Sequence, residues 1–253
     1  MSITTIAILT GASRGLGAAL ARGLVHPGTR LVTLSRGVDP ALDELARAQG
    51  AELEQLQVDL SDPAAATRAA HQVCDALPRD AGLRYRLINN AGTLAPVARA
   101  DQLDDSAAIA TAFNLNVNAA LLLSSAFLAR LKGLNADRRV LNISSGAGRN
   151  PNPGWTVYCA TKAALDMASR VTAQEQGTAG ARIVSLAPGV IDTSMQAAIR
   201  ASDPASFPAL ERFQQMHDSG ALSSPEQTAQ RILAYLERDD FGTTVIDDIR
   251  HYD

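Results

Sequence analysis

Apolar and polar positions along this chain alternate between two periods. Residues 3–10, Ile-Thr-Thr-Ile-Ala-Ile-Leu-Thr, form a short run rich in β-branched side chains, and the Ala- and Leu-rich stretch 16–25 that follows has helical character. A glycine-rich turn joins the two. The same succession recurs with 30–35 as strand and a helix from Pro40, with 53–58 as strand and a helix from Asp62, and with 85–89 as a fourth strand. A long helix over 106–131, strand 139–143, helix 157–174, strand 182–186, a helix opened by Ser224-Pro225 and a last strand at 243–246 complete the series. Ser224 suits an N-cap and Pro225 the first helical position, and Pro63 after Ser61-Asp62 marks another helix start.

Alternating strands and helices need crossover connections. The pattern therefore predicts an α/β fold: one domain over 1–253, built on a doubly wound parallel sheet of about seven strands with helices on both faces. Ligands of such sheets sit beyond the carboxyl ends of the strands. The segment 188–220 follows a strand and begins rich in Pro, Ser and Asp, so it is expected to form a substrate lid. Residues 117–131 are the most apolar stretch, but they are interrupted by Asn118, Ser124, Ser125 and Arg130 and fall short of the ~20 residues a membrane span needs. They predict a buried helix.

Composition narrows the function classes. Apolar residues are 46% and charged residues 19%, as in ordinary globular proteins. The formal charge is -3 and the pI about 5.8, which points away from nucleic acid and anionic membrane and toward a small-molecule substrate. Cys74 and Cys159 are distant from each other and lack ligand-like spacing to His26, His71, His217 or His251, so neither a disulfide framework nor a metal site is expected. The first residues lack a basic, apolar leader pattern, and a cytoplasmic setting fits.

The chemistry begins at the first turn. Thr10-Gly11-Ala12-Ser13-Arg14-Gly15-Leu16-Gly17 follows a strand and opens a helix, so backbone N–H groups and the positive helix end face a site for a pyrophosphate. The second strand ends Leu34-Ser35-Arg36, without the carboxylate that would bind the ribose of NAD. Arg36 and Arg14 instead offer guanidinium groups suited to a 2′-phosphate, which favours NADP(H) as cofactor. Asp59, before Leu60, either meets the adenine or caps the next helix. Asn90, Ala91 and Gly92 end the fourth strand and either border the cofactor or only satisfy turn groups.

Tyr158 and Lys162 lie four residues apart at a helix start and share one face. A free tyrosine titrates near pH ~10, so it holds a proton to donate, and a neighbouring ammonium stabilises the phenolate left behind. Ser145, at the end of a strand, can hydrogen-bond the carbonyl that Tyr158 protonates.

Taken in order, Thr10–Gly17, Asn89–Gly92, Ser145, Tyr158-Cys159-Ala160-Thr161-Lys162 and Pro188-Gly189 followed by Thr193 resemble the short-chain dehydrogenase/reductase family over the whole chain. The resemblance implies a Rossmann-type fold, an oxidoreductase and a Ser-Tyr-Lys centre assisted by a helix asparagine. Asn116 best matches that asparagine, with Asn118 as a competing match; the resemblance implies that it holds a water linking Lys162 to solvent. It also implies that Thr193 and the backbone near Val190 hold the nicotinamide carboxamide, and that the helices over 106–131 and 157–174 pair subunits into a homodimer or homotetramer.

Within the family, Leu141–Ser145, Gly154-Trp155, Asp192-Thr193 and Met195-Gln196 are similar to sepiapterin reductases and to bacterial benzil reductases. That similarity implies NADPH-dependent reduction of a pterin side-chain ketone or an aryl diketone. Trp155 would wall the pocket, and Asp247 or Asp248 would contact the substrate. Two other readings share these motifs: a ketoreductase of acyl thioesters, and an NADP-binding regulatory module without turnover.

Overall fold

The computed structural model describes residues 2–201, 203 and 207–252. Its centre is a parallel sheet of seven strands in the order β3-β2-β1-β4-β5-β6-β7. The strands are β1 (Thr5–Thr10), β2 (Thr29–Ser35), β3 (Glu52–Gln57), β4 (Arg84–Asn89), β5 (Asp137–Ile143), β6 (Arg182–Ala187) and β7 (Ile246–Asp248). The chain starts in the middle, winds out to β3 and returns across β1 to β4. The crevice between the ends of β1 and β4 is therefore the switch point where such sheets bind ligands.

Helices α1 (Gly15–Leu24), α2 (Pro40–Gln49) and α9 (Pro225–Glu237) contribute Leu16, Leu20, Leu42, Ala46, Ile232 and Leu236 to one apolar layer with Leu9, Leu141 and Val184 of the sheet. The other layer joins α3 (Pro63–Asp75) and α5 (Ala119–Arg130), through Ala66, Val73, Leu123 and Phe127, to Ile8, Val32 and Leu87. Both predicted caps are present. The Asp62 carboxylate accepts from the Ala64 N–H ahead of Pro63, and Ser224 and Gln227 form a reciprocal capping box.

The expected long helix has three parts: α4 (Ser106–Phe113), a π-helical turn at Asn114–Asn118, and α5. Its run is long and apolar enough to cross a membrane by length and composition, yet Val117, Ala120, Leu123 and Phe127 pack inward as in a core helix. Over 117–131 burial is partial, contrary to expectation, because Leu121, Ser125 and Ala129 face outward. The 188–220 segment is more regular than a loop. It carries α7 (Ser194–Arg200) and α8 (Leu210–Asp218), although residues 202 and 204–206 of it lie outside the described ones. The last strand falls later than predicted, because Thr243 is held in a turn by its N–H to the Asp240 carbonyl.

Candidate active site

The end of β1 is fastened to the end of β4. The Thr10 hydroxyl accepts the N–H groups of Asn90 and Ala91, both at 2.9 Å, and the Asn90 amide donates to the carbonyls of Thr10 at 3.0 Å and Gly11 at 3.2 Å. Glycine is required where these segments meet. A Cβ on Gly17 would lie 1.9 Å from the Gly11 carbonyl oxygen, and Gly11 itself has φ +72°. No side chain caps α1, so its first N–H groups are left for an anionic ligand.

A cleft of about 560 Å³ runs along this edge. Gly11, Ser13, Arg14, Gly15, Leu16 and Gly17 line one end; Arg36, Asp59 and Leu60 flank it; Asn90, Ala91 and Gly92 form its floor. Pro188, Thr193, Tyr158 and Lys162 close the other end. These residues fit a dinucleotide, with an uncapped helix start for the pyrophosphate and two arginines at the outer end. Asp59 is not the helix cap, which is Asp62; its carboxylate instead accepts from Ser61, whose hydroxyl and N–H hold it below the usual range. Gly189 and Val190 sit around the corner on a second cavity, and the Val190 carbonyl is bound to the Ser223 N–H.

The first turns of α6 (Thr156–Gln176) present Tyr158 and Lys162, both buried. Burial raises the Tyr158 phenol above its ordinary value, and a hydrogen bond with Ser145 opposes that shift. Burial lowers the Lys162 ammonium to about 8, with the nearby Asp166 charge opposing it; Nζ donates to the Ile143 carbonyl at 2.7 Å and lies 5.7 Å from the Tyr158 ring centre. Ser145 Oγ accepts the Ala147 N–H at 3.1 Å, which leaves its own proton to donate.

Asn116 sits in the π-helical turn and is buried. Its Oδ1 accepts the Thr93 N–H at 2.7 Å, and its Nδ2 donates to the Thr93 carbonyl at 2.8 Å and the Thr161 hydroxyl at 3.0 Å. A Cβ on Gly92 would lie 3.3 Å from Asn116 Oδ1 and 3.7 Å from Lys162 Nζ, so all three converge. Asn118 faces out and donates to the Asn114 side chain. Of the two matches, Asn116 is the one buried near Lys162, and Asn118 is exposed.

Behind these groups lies a network that sequence reasoning missed. The buried Asp166 carboxylate accepts the hydroxyls of Ser144 and Ser185, both at 2.6 Å, and Arg149 Nε at 3.0 Å. It thereby ties α6 to the ends of β5 and β6 beside Ser145. An acidic residue one turn after Lys162 was the available signal.

A second cavity of about 530 Å³ meets the cleft at Tyr158. Leu94, Trp155, Ile199 and Phe213 line it. Trp155 stacks on Phe207 at 4.9 Å and 9° and meets the Tyr158 ring edge-on at 5.7 Å. One indole face is thus covered from within the chain. Asp247 is corrected: it does not line the cavity. Successive side chains leave β7 on opposite faces, and the Asp247 carboxylate turns inward to accept the phenols of Tyr235 at 2.9 Å and Tyr252 at 2.5 Å. Asp248 does line the cavity, but its carboxylate is occupied by Arg250 at 2.6 and 2.8 Å.

A doubly wound parallel sheet whose Gly-rich cleft leads to buried Tyr158 and Lys162 beside Ser145 is the arrangement of one class of nicotinamide-dependent oxidoreductases. The chain belongs to the short chain dehydrogenase family, whose sequence model matches residues 5–204. It is 36% identical over 236 residues to a benzil reductase ((S)-benzoin forming) of Bacillus cereus, covering 92% of this chain and 94% of that one. It is 37% identical over 251 residues to the sepiapterin reductase of Bos taurus, covering 94% and 91%. Among solved structures, a putative NAD(P) dependent gluconate 5-dehydrogenase from Beutenbergia cavernae with bound NADP superimposes with a TM-score of 0.80 at 26% identity, covering 98% and 96%.

Proposed function

We propose that this chain is a cytoplasmic NADPH-dependent reductase of small planar ketones, either aryl diketones or pterin side-chain ketones, working as a homodimer or homotetramer. The observation that carries this reading is the placement of Tyr158 at the junction of the dinucleotide cleft and the aromatic cavity. A carbonyl seated there meets a proton donor with a flat apolar surface beside it. Arg14 and Arg36 at the far end favour a 2′-phosphate, in keeping with the NADP-bound neighbour. Two free thiols, Cys74 and Cys159, suit a reducing compartment.

When bound, the dihydronicotinamide supplies a hydride to the carbonyl carbon. The chain's own groups do the rest. The Ser145 hydroxyl donates to the carbonyl oxygen and polarises it. As the C=O π pair moves onto oxygen, the Tyr158 phenol gives up its proton and completes the alcohol. The Lys162 ammonium, held by the Ile143 carbonyl, stabilises the phenolate until solvent returns the proton. Asn116 locks the loop after β4 against α6, and Oδ1 keeps one lone pair near Lys162 for a water.

The test is NADPH consumption by purified protein with benzil, sepiapterin, a simple aryl ketone and an acetoacetyl thioester side by side, with NADH as control. Turnover of benzil or sepiapterin with NADPH preferred supports the proposal. Activity confined to the thioester contradicts the substrate class, and NADH preference contradicts the role of Arg36.

A further inference from the structure

We infer that Gln196 sets the substrate class of the cavity: its carboxamide binds a second oxygen on the carbon next to the reacting carbonyl, so the site selects vicinally oxygenated ketones over simple ones. This inference rests on the reductase reading. Gln196 lies in the first turn of α7, lines the substrate cavity and is only 4% exposed. Its Oε1 is buried without a partner, and among the described residues neither end of the amide is hydrogen-bonded.

The rest of the polar wall is mostly committed. Ser144 is held by Asp166, Asp248 by Arg250, and the Asn150 amide by the Gly146 carbonyl. A buried amide left unsatisfied opposes folding, and a Met of similar length would pack there without that cost. Such a group is accounted for when a ligand completes it. Because neither end is fixed, the amide turns about its last torsion and offers N–H to a carbonyl or C=O to a hydroxyl. Gln196 follows Thr193 by one helical turn, and Thr193 borders both the cleft and the cavity. The free amide therefore lines the same cavity as Tyr158, the cavity that would receive an oxygen next to the reacting carbonyl. The indole N–H of Trp155, on the same cavity, is also unpartnered.

The test compares benzil with deoxybenzoin, the same skeleton with one carbonyl replaced by methylene, in wild type and Gln196→Met. NADPH affinity by fluorescence and the circular dichroism spectrum serve as folding controls. The variant is expected to lose about ten- to a hundredfold in kcat/KM on benzil while its deoxybenzoin kinetics and NADPH affinity stay at wild-type values. Equal losses on both ketones, or no loss on benzil, would overturn the inference alone. If wild type binds NADPH yet reduces neither ketone, the reductase reading fails and takes this inference with it.

Discussion

Burial pushes the protons of Tyr158 and Lys162 in opposite directions. The phenol is held above its ordinary value, so it is a full proton reservoir, whereas the ammonium falls to about 8 and is charged only below that pH. The proposed reduction needs both protons in place. In the pH profile, kcat/KM is expected to be flat near neutrality and to fall above about pH 8 as Lys162 loses its charge; a profile flat to pH ~10 would contradict the role of Lys162. Stability carries the same signature. Below its folded value of about 8 the buried ammonium opposes folding, and that penalty is relieved as pH rises toward the unfolded value near ~10.4. Lys162→Met is therefore expected to abolish turnover yet raise stability at pH 7 by on the order of 1–3 kcal/mol, with the difference from wild type shrinking at alkaline pH in denaturant titrations. At the other end of the cleft, Arg36→Ala is expected to raise the KM for NADPH about tenfold and leave that for NADH unchanged.

At the scale of elements, the π-helical turn between α4 and α5 carries both asparagines, with Asn116 buried toward Lys162 and Asn118 exposed. Asn116→Ala removes three hydrogen bonds to Thr93 and Thr161 and is expected to cost about 1–3 kcal/mol and most of kcat, whereas Asn118→Ala, on the exposed side, should stay within about 0.5 kcal/mol of wild type. Thermal unfolding of the two variants checks this. The sequence could not make that choice outright, since the residues are two apart and a regular helical period gives no sign of a π-turn. The order of strands and helices was legible because each strand ends in a turn residue and each crossover helix has its own apolar stripe. The Tyr158-Lys162 pair was legible because four residues make one turn of helix. The carboxyl-terminal aspartates were not, since a one-residue register in a three-residue strand decides which face each takes. Phe213 and Gln196 reach the cavity, and Phe207 backs Trp155, only through the docking of 188–220, which local pattern does not encode. The ties from Asn116 to Thr93 and from Lys162 to the Ile143 carbonyl likewise join segments far apart in sequence.

On the scale of the whole molecule, the two cavities and the outer faces of α4, α5 and α6 divide the labour. Phe113 and Leu121 on the first two helices, and Met167 and Val171 on the third, are exposed at 36%, 42%, 55% and 48%, apolar side chains that line neither cavity. These faces are expected to pair subunits, so size-exclusion chromatography should report a dimer or tetramer, and Met167→Glu with Val171→Glu should shift it toward monomer. The central claim is that a carbonyl at the seam of cleft and cavity takes its hydride from NADPH and its proton from Tyr158. Benzil reduction with NADPH deuterated at the transferable position, in wild type and Tyr158→Phe, tests this most directly. Wild type is expected to place one deuterium on the carbinol carbon of benzoin, and Tyr158→Phe to bind NADPH normally yet turn over at least about a hundredfold more slowly. Benzoin without deuterium, or a folded Tyr158→Phe variant that keeps most of its rate, would contradict it.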